Sequence, residues 1–197
     1  MTDKIIDWDY PAVRRGISGF FDKGAGPGAT AAEVLLQLLL PGAATLAAYL
    51  YAQTVFPDWP WWKLLLFCFL AFDMVGGIVT NATSSAKRWF HRATQTRRNH
   101  LGFIVLHLFH IALVAIVFRD FDWVYGLALS AFLLSAAALV LAFPLYLQRP
   151  IALFLFALGL LLEIYGWGTS SELPWFTSFL LLKLLVAHLL LEEPYRP

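Results

Sequence analysis

Six apolar stretches, each about long enough to cross a bilayer, constrain this chain more than any other feature. They run over residues 31–53, 61–81, 100–118, 123–143, 150–167 and 174–191. A spanning helix needs about 20 mostly apolar residues, and in hydrocarbon only a helix or a closed barrel satisfies every backbone N–H and C=O. Charge content agrees: 14% of the residues are charged, against roughly 25% in soluble domains. The joins FPDWPWWK, RDFDW, FPLYLQRP and GTSSELPWF combine turn residues with the Trp and Tyr that settle at headgroup level. The expected fold is all-α: a polytopic integral membrane helix bundle of six transmembrane helices, multi-pass in the cell membrane. The spans occupy 30–197, and a segment 1–29 precedes them.

The segment 1–29 opens MTDKIIDWDY, with acids where a signal peptide has bases and no apolar core before residue 30. Over 10–21, Val13, Ile17, Phe20 and Phe21 alternate with Arg14 and Arg15, a pattern suited to a short helix lying in the interface. GAGPGA ends it. Six spans put both termini on one side, together with the long basic loop 82–99. That side carries 11 of the Lys and Arg residues, whereas the other has only Lys63 and Arg119; Lys183 lies within a span. The positive-inside rule therefore predicts cytoplasmic termini and a cytoplasmic loop. A single cysteine, Cys68, excludes an intrachain disulfide or a CxxC metal site.

Polar residues inside the spans are the functional candidates, because each costs roughly 2.5–3.5 kcal/mol at a helix centre when charged. Glu33 has a local explanation: Thr30 to Glu33 reads as a capping box. Gln37, one turn deeper, suits a helix–helix hydrogen bond. Asp73 has no such explanation. Residues 73, 77, 80, 81 and 84 share one helical face and read Asp, Gly, Thr, Asn, Ser. His107 and His110 enter the next span at the depth Asp73 reaches from the other side of the loop. An acid beside two imidazoles can hold a metal, orient a general base or relay protons. Glu163 and Lys183, in the fifth and sixth spans, are expected to form an ion pair.

Three readings follow. In the leading expectation the chain is a membrane-embedded enzyme, a hydrolase or transferase. It would act on a membrane lipid or other amphiphile from the cytoplasmic leaflet. Asp73, His107 and His110 would be catalytic, and would also be the ligands of one divalent metal, zinc favoured by a His/carboxylate set. Thr80, Asn81 and Ser84 would orient the substrate, while Arg88 and Arg92 would hold its headgroup. The alternative is a small proton-coupled transporter or channel using the same stripe. A further alternative is an accessory subunit whose polar seam meets a membrane partner or a second copy. Nucleic acid is not expected, since no soluble domain carries a groove reader.

Overall fold

The computed structural model describes residues 6–195, so Lys4 and Arg196, counted in the charge asymmetry, lie outside the described residues. A short helix α1 (Ile17–Ala25) leads into α2 (Ala31–Val55), α3 (Trp61–Ala82) and the small helix α4 (Ser84–Phe90). A third span follows in two pieces, α5 (Arg97–Leu106) and α6 (Leu108–Val117). Then come α7 (Trp123–Ala142), α8 (Leu145–Leu162) with a π turn at Glu163–Trp167, and α9 (Phe176–Leu181) running into a π-helical segment, Leu182–His188. No strand occurs among the described residues; Ile6 and Tyr195 make one isolated bridge.

Five helices are long and apolar enough to cross a membrane: Ala31–Val55, Trp61–Ala82, Arg97–Val117, Trp123–Ala142 and Leu145–Trp167. The sixth expected stretch contains a shorter apolar helix, Phe176–His188. Much of the apolar surface of these helices is exposed. Leu35, Leu38, Leu39 and Leu127 are each more than half exposed, a state that water penalises over so wide a face and lipid does not. The core sits where the helices meet, around Phe67, Leu70, Met74, Ile104, Leu133 and Leu180.

Local chemistry explains the ends. The Thr30–Glu33 capping box forms: Thr30 N–H donates to Glu33 Oε2 at 2.8 Å and Glu33 N–H to Thr30 Oγ1 at 3.2 Å. Glu33 Oε1 also accepts from Ser85 N–H at 2.9 Å, fastening the start of α4 to α2. Gln37 makes the expected helix–helix contact, with Nε2 donating to Thr83 Oγ1 at 3.2 Å. Asp122 caps α7 by accepting from Tyr125 N–H at 2.9 Å, and that hydrogen bond, with neighbouring Arg119 second, holds the Asp122 carboxyl below the usual carboxylate range. Helix α1 starts later than its sequence pattern, at Ile17. Residues 10–14 are non-helical, and Arg14 folds back to bind Asp22 through both its backbone N–H (2.9 Å) and its guanidinium.

Candidate functional site

The centre is built from three helices. α3 supplies Asp73, the broken span α5–α6 supplies His107 and His110, and the last helix supplies Lys183. One ligand atom from each of Asp73, His107 and His110 lies within 4.8 Å of the others, so the expected acid–imidazole group assembles. Asp73 Oδ2 accepts from His110 Nε2 at 3.2 Å and from Lys183 Nζ at 2.7 Å. The expected Glu163–Lys183 pair is corrected by this contact. Lys183 turns to Asp73, and Glu163, equally buried, faces Thr177, whose hydroxyl also meets Tyr125 Oη at 3.1 Å. Direction along the chain is the physical reason. α3 and the last helix both run away from the end where Lys63 meets Glu172 (2.8 Å), so Asp73 and Lys183 meet at one level.

Gly77 makes that pair possible. A Cβ at this position would lie 2.1 Å from Lys183 Cε, so only glycine lets the lysine stem cross α3 to reach Asp73, one turn away. The backbone is irregular on both sides of the centre. α5 stops at Leu106 and α6 restarts at Leu108, with His107 between them at ψ −8°. The last helix widens to i→i+5 bonding, as in Leu189 N–H to Leu184 C=O at 3.2 Å. π turns and helix breaks concentrate at functional positions in membrane bundles.

Hydrogen-bond partners fix the imidazole tautomers. His107 Nδ1 lies 2.8 Å from the Phe103 carbonyl; a carbonyl only accepts, so Nδ1 carries the proton and Nε2 keeps its lone pair. In the neutral ring His110 donates through Nε2 to Asp73, which leaves Nδ1 bare, buried and without a partner.

Sequence reasoning did not find the second cluster. His91, His100 and His188 gather between the centre and the loop. His188 Nδ1 is 3.0 Å from Asn81 Oδ1, and its Nε2 is 3.3 Å from His100 Nδ1. Asn81 Nδ2 donates to Gly77 C=O at 2.7 Å, which turns its oxygen toward His188. His91 Nε2 donates to the His188 carbonyl at 2.9 Å. Burial, then the Lys87 ammonium and His100, push the His91 imidazole down to about 3. Lys87 is itself buried. It donates to the Ala187 and Leu190 carbonyls at 2.7 Å each and lies 3.5 Å from Glu192; burial lowers its ammonium against the opposing pull of Glu192. All five histidines of the chain thus stand in two groups, separated by the Phe103 ring. Its centroid is 4.1 Å from that of His188 and 4.6 Å from that of His107.

The residues expected to bind substrate are engaged elsewhere. Thr80 Oγ1 donates to Gln37 Oε1 (3.4 Å), Asn81 holds His188, and Ser84 Oγ accepts from Tyr195 N–H (3.1 Å). Arg92 stacks on Trp89, its guanidinium 3.8 Å from the ring centroid, and Arg88 is buried in α4. Of these only Ser84 borders the cavity of about 470 Å³ at this end of the bundle, which Lys87, Gln148 and Arg149 also line. No protein-family model, curated protein or solved structure matches this chain.

Proposed function

We propose that the chain is a six-span membrane protein, with both termini and the basic loop cytoplasmic, that couples proton binding at Asp73 to the passage of a solute through the bundle. The Asp73–Lys183 contact at 2.7 Å, with His110 on the same oxygen, carries this reading. An ion pair between a buried lysine and a half-buried aspartate in the middle of a lipid-facing bundle is costly to keep, and such groups mark ion and proton pathways. Protonating Asp73 would remove the charge that holds Lys183 and His110. The last helix, already irregular at Leu182–His188, would then be released from α3. The sixth crossing has its own support. Glu172, before the last helix, meets Lys63, and Leu190, after it, meets Lys87. Lys63 and Lys87 flank opposite ends of α3, whose 22 residues span about 33 Å.

A metal-dependent hydrolase or transferase acting on a membrane lipid is the second reading, favoured by the three clustered ligand atoms and the free lone pair of His107 Nε2. The donor set suits zinc. Lys183 weighs against it, since a dication would have to displace an ammonium already seated on the carboxylate.

Proton binding can be read without knowing the solute. Vesicles containing the protein are adsorbed to a solid-supported membrane and given a pH jump. A transient current in wild type that disappears in Asp73→Asn is expected. Equal transients from both would overturn the proposal.

A further inference from the structure

We propose that His100 and His188, with His91 Nε2 held on the His188 carbonyl, form a second proton-transfer station on the cytoplasmic side of the Asp73 centre, and that the Phe103 ring is the apolar valve between the two. This rests on the proton-coupled reading above and adds to it a route.

The contacts define how far a proton can travel. Asn81 Oδ1 accepts only, so His188 Nδ1 bears a proton and Nε2 is the lone pair that faces His100. His100 Nδ1 then bears the proton between them, and His100 Nε2 is bare. His100, at the start of its span and 9% exposed, is the group nearest the loop in this pair. A proton from cytoplasmic water bonds to His100 Nε2. The Nδ1–H bond of His100 breaks as an Nε2–H bond forms on His188. His100 is left neutral with its proton on Nε2, and His188 becomes the imidazolium. There the wire stops. The other face of His188 meets the Asn81 amide, which has no basic site, and the ring itself is stacked on Phe103 at 27°.

On the far side of Phe103 stands His107, whose proton is tied to the Phe103 carbonyl and whose Nε2 lone pair is available. The two histidines flank one phenyl ring that can neither donate nor accept. A swing of the Phe103 side chain would let water bridge the two rings: the Nδ1–H bond of His188 breaks as an Nε2–H bond forms on His107, and His188 is left neutral with its proton on Nε2. The swing would do so without moving a helix, because the backbone carbonyl that orients His107 belongs to Phe103 itself. Charges around the station favour transit over storage. The Lys87 ammonium stands beside the station, donating to the carbonyl of Ala187, the chain neighbour of His188, at 2.7 Å. Glu192 is the carboxylate paired with Lys87. A proton resting on His188 is therefore repelled from the loop side and moves on when the valve opens. Phe90 closes the remaining flank, its ring 5.9 Å from that of His188 and 6.3 Å from that of Phe103.

The test uses full-length protein in vesicles and the rate of the Asp73-dependent current after a pH jump. Phe103→His places a basic nitrogen where the ring stands and is expected to speed the current about tenfold; Phe103→Leu keeps the position apolar and is expected to leave it within about twofold. His100→Gln removes the entry base and is expected to slow it about tenfold, within the range that a positioned acid–base group supplies. Should Phe103→His fail to fold, His100→Gln decides alone. A current that depends on Asp73 but runs at the wild-type rate in Phe103→His and His100→Gln would overturn the station and leave the Asp73 centre standing. Absence of any Asp73-dependent current would sink both.

Discussion

Gly77→Ala is the sharpest test of how the centre is assembled. The added methyl would lie 2.1 Å from Lys183 Cε, 2.6 Å from Cδ and 2.9 Å from Nζ. Carbon atoms in contact sit about 3.5–4 Å apart, so the lysine stem must retreat by about 1.5–2 Å. Lys183 is 3% exposed, and its ammonium is 2.7 Å from Asp73; the stem cannot give way without lengthening that contact beyond an ion pair. Overpacking costs about 1–3 kcal/mol, and breaking a buried pair can cost about 3–5. With Asp73 part-exposed, we take about 3 kcal/mol for the two together, or about 6–12 °C in melting temperature for a chain this long. The assay is thermal unfolding in detergent, arranged as a double-mutant cycle with Lys183→Ala. Once the lysine is gone, Gly77→Ala should cost nothing and can gain up to about 1 kcal/mol from helix propensity. If Gly77→Ala is as damaging in the Lys183→Ala background as in wild type, the close approach of Lys183 is not what the glycine serves.

Other outcomes follow from the same contacts. Glu33→Ala removes both the capping box of α2 and the acceptor for Ser85 N–H, and should lower stability by about 1–2 kcal/mol in the same assay. Lys63→Met removes the pair with Glu172 and the cation 4.8 Å from the Trp59 ring centroid. It should cost about 1 kcal/mol and expose the Glu172 join to faster hydrogen exchange. Arg14 holds the Asp22 carboxyl below the usual carboxylate range, so this pair supports α1 fully above about pH 4. The support is lost as pH falls through the lowered native value, and amide exchange in Ile17–Ala25 should accelerate only there. Zinc titration separates the two readings of the centre: Lys183→Met should bind zinc at least about tenfold more tightly than wild type, because a competing positive charge has gone.

How much of this the sequence could carry depended on whether the signal was local. The capping box at Thr30–Glu33 and the polar face Asp73–Gly77–Asn81 are contained within one helix, so spacing alone revealed them. Apolar length revealed the five helices long enough to cross a membrane, and parity and charge predict an orientation. The partner of Lys183 was not local. A pairing with Glu163 looked natural because the two lie in consecutive spans and both count to the outer half of the bilayer, but Lys183 also lies near the level of Asp73 on the parallel helix α3, and it turns there. Asp73 is thirteen residues past Pro60 and Lys183 nine past Pro174. The difference is about 6 Å of rise, which a lysine stem can close. The second histidine cluster needed tertiary information throughout. His91 lies in the loop, His100 in the third span and His188 near the end of the chain, and no spacing along the chain brings the three together. The break at His107 was also silent, because no Gly or Pro marks it.

The central claim is that Asp73 takes up a proton within the membrane instead of remaining a fixed counter-ion. Carbodiimides that partition into lipid react with protonated carboxyl groups in apolar surroundings, and peptide mass spectrometry locates the adduct. The measurement is modification of Asp73 in vesicles between about pH 5 and 8, in wild type and in Lys183→Met. The account predicts an adduct on Asp73 in wild type that increases toward low pH, and a larger one in Lys183→Met, where the ammonium no longer holds the carboxylate ionised. An Asp73 that stays unmodified across that range in both proteins would contradict the account and leave the pair as a structural tie between α3 and the last helix.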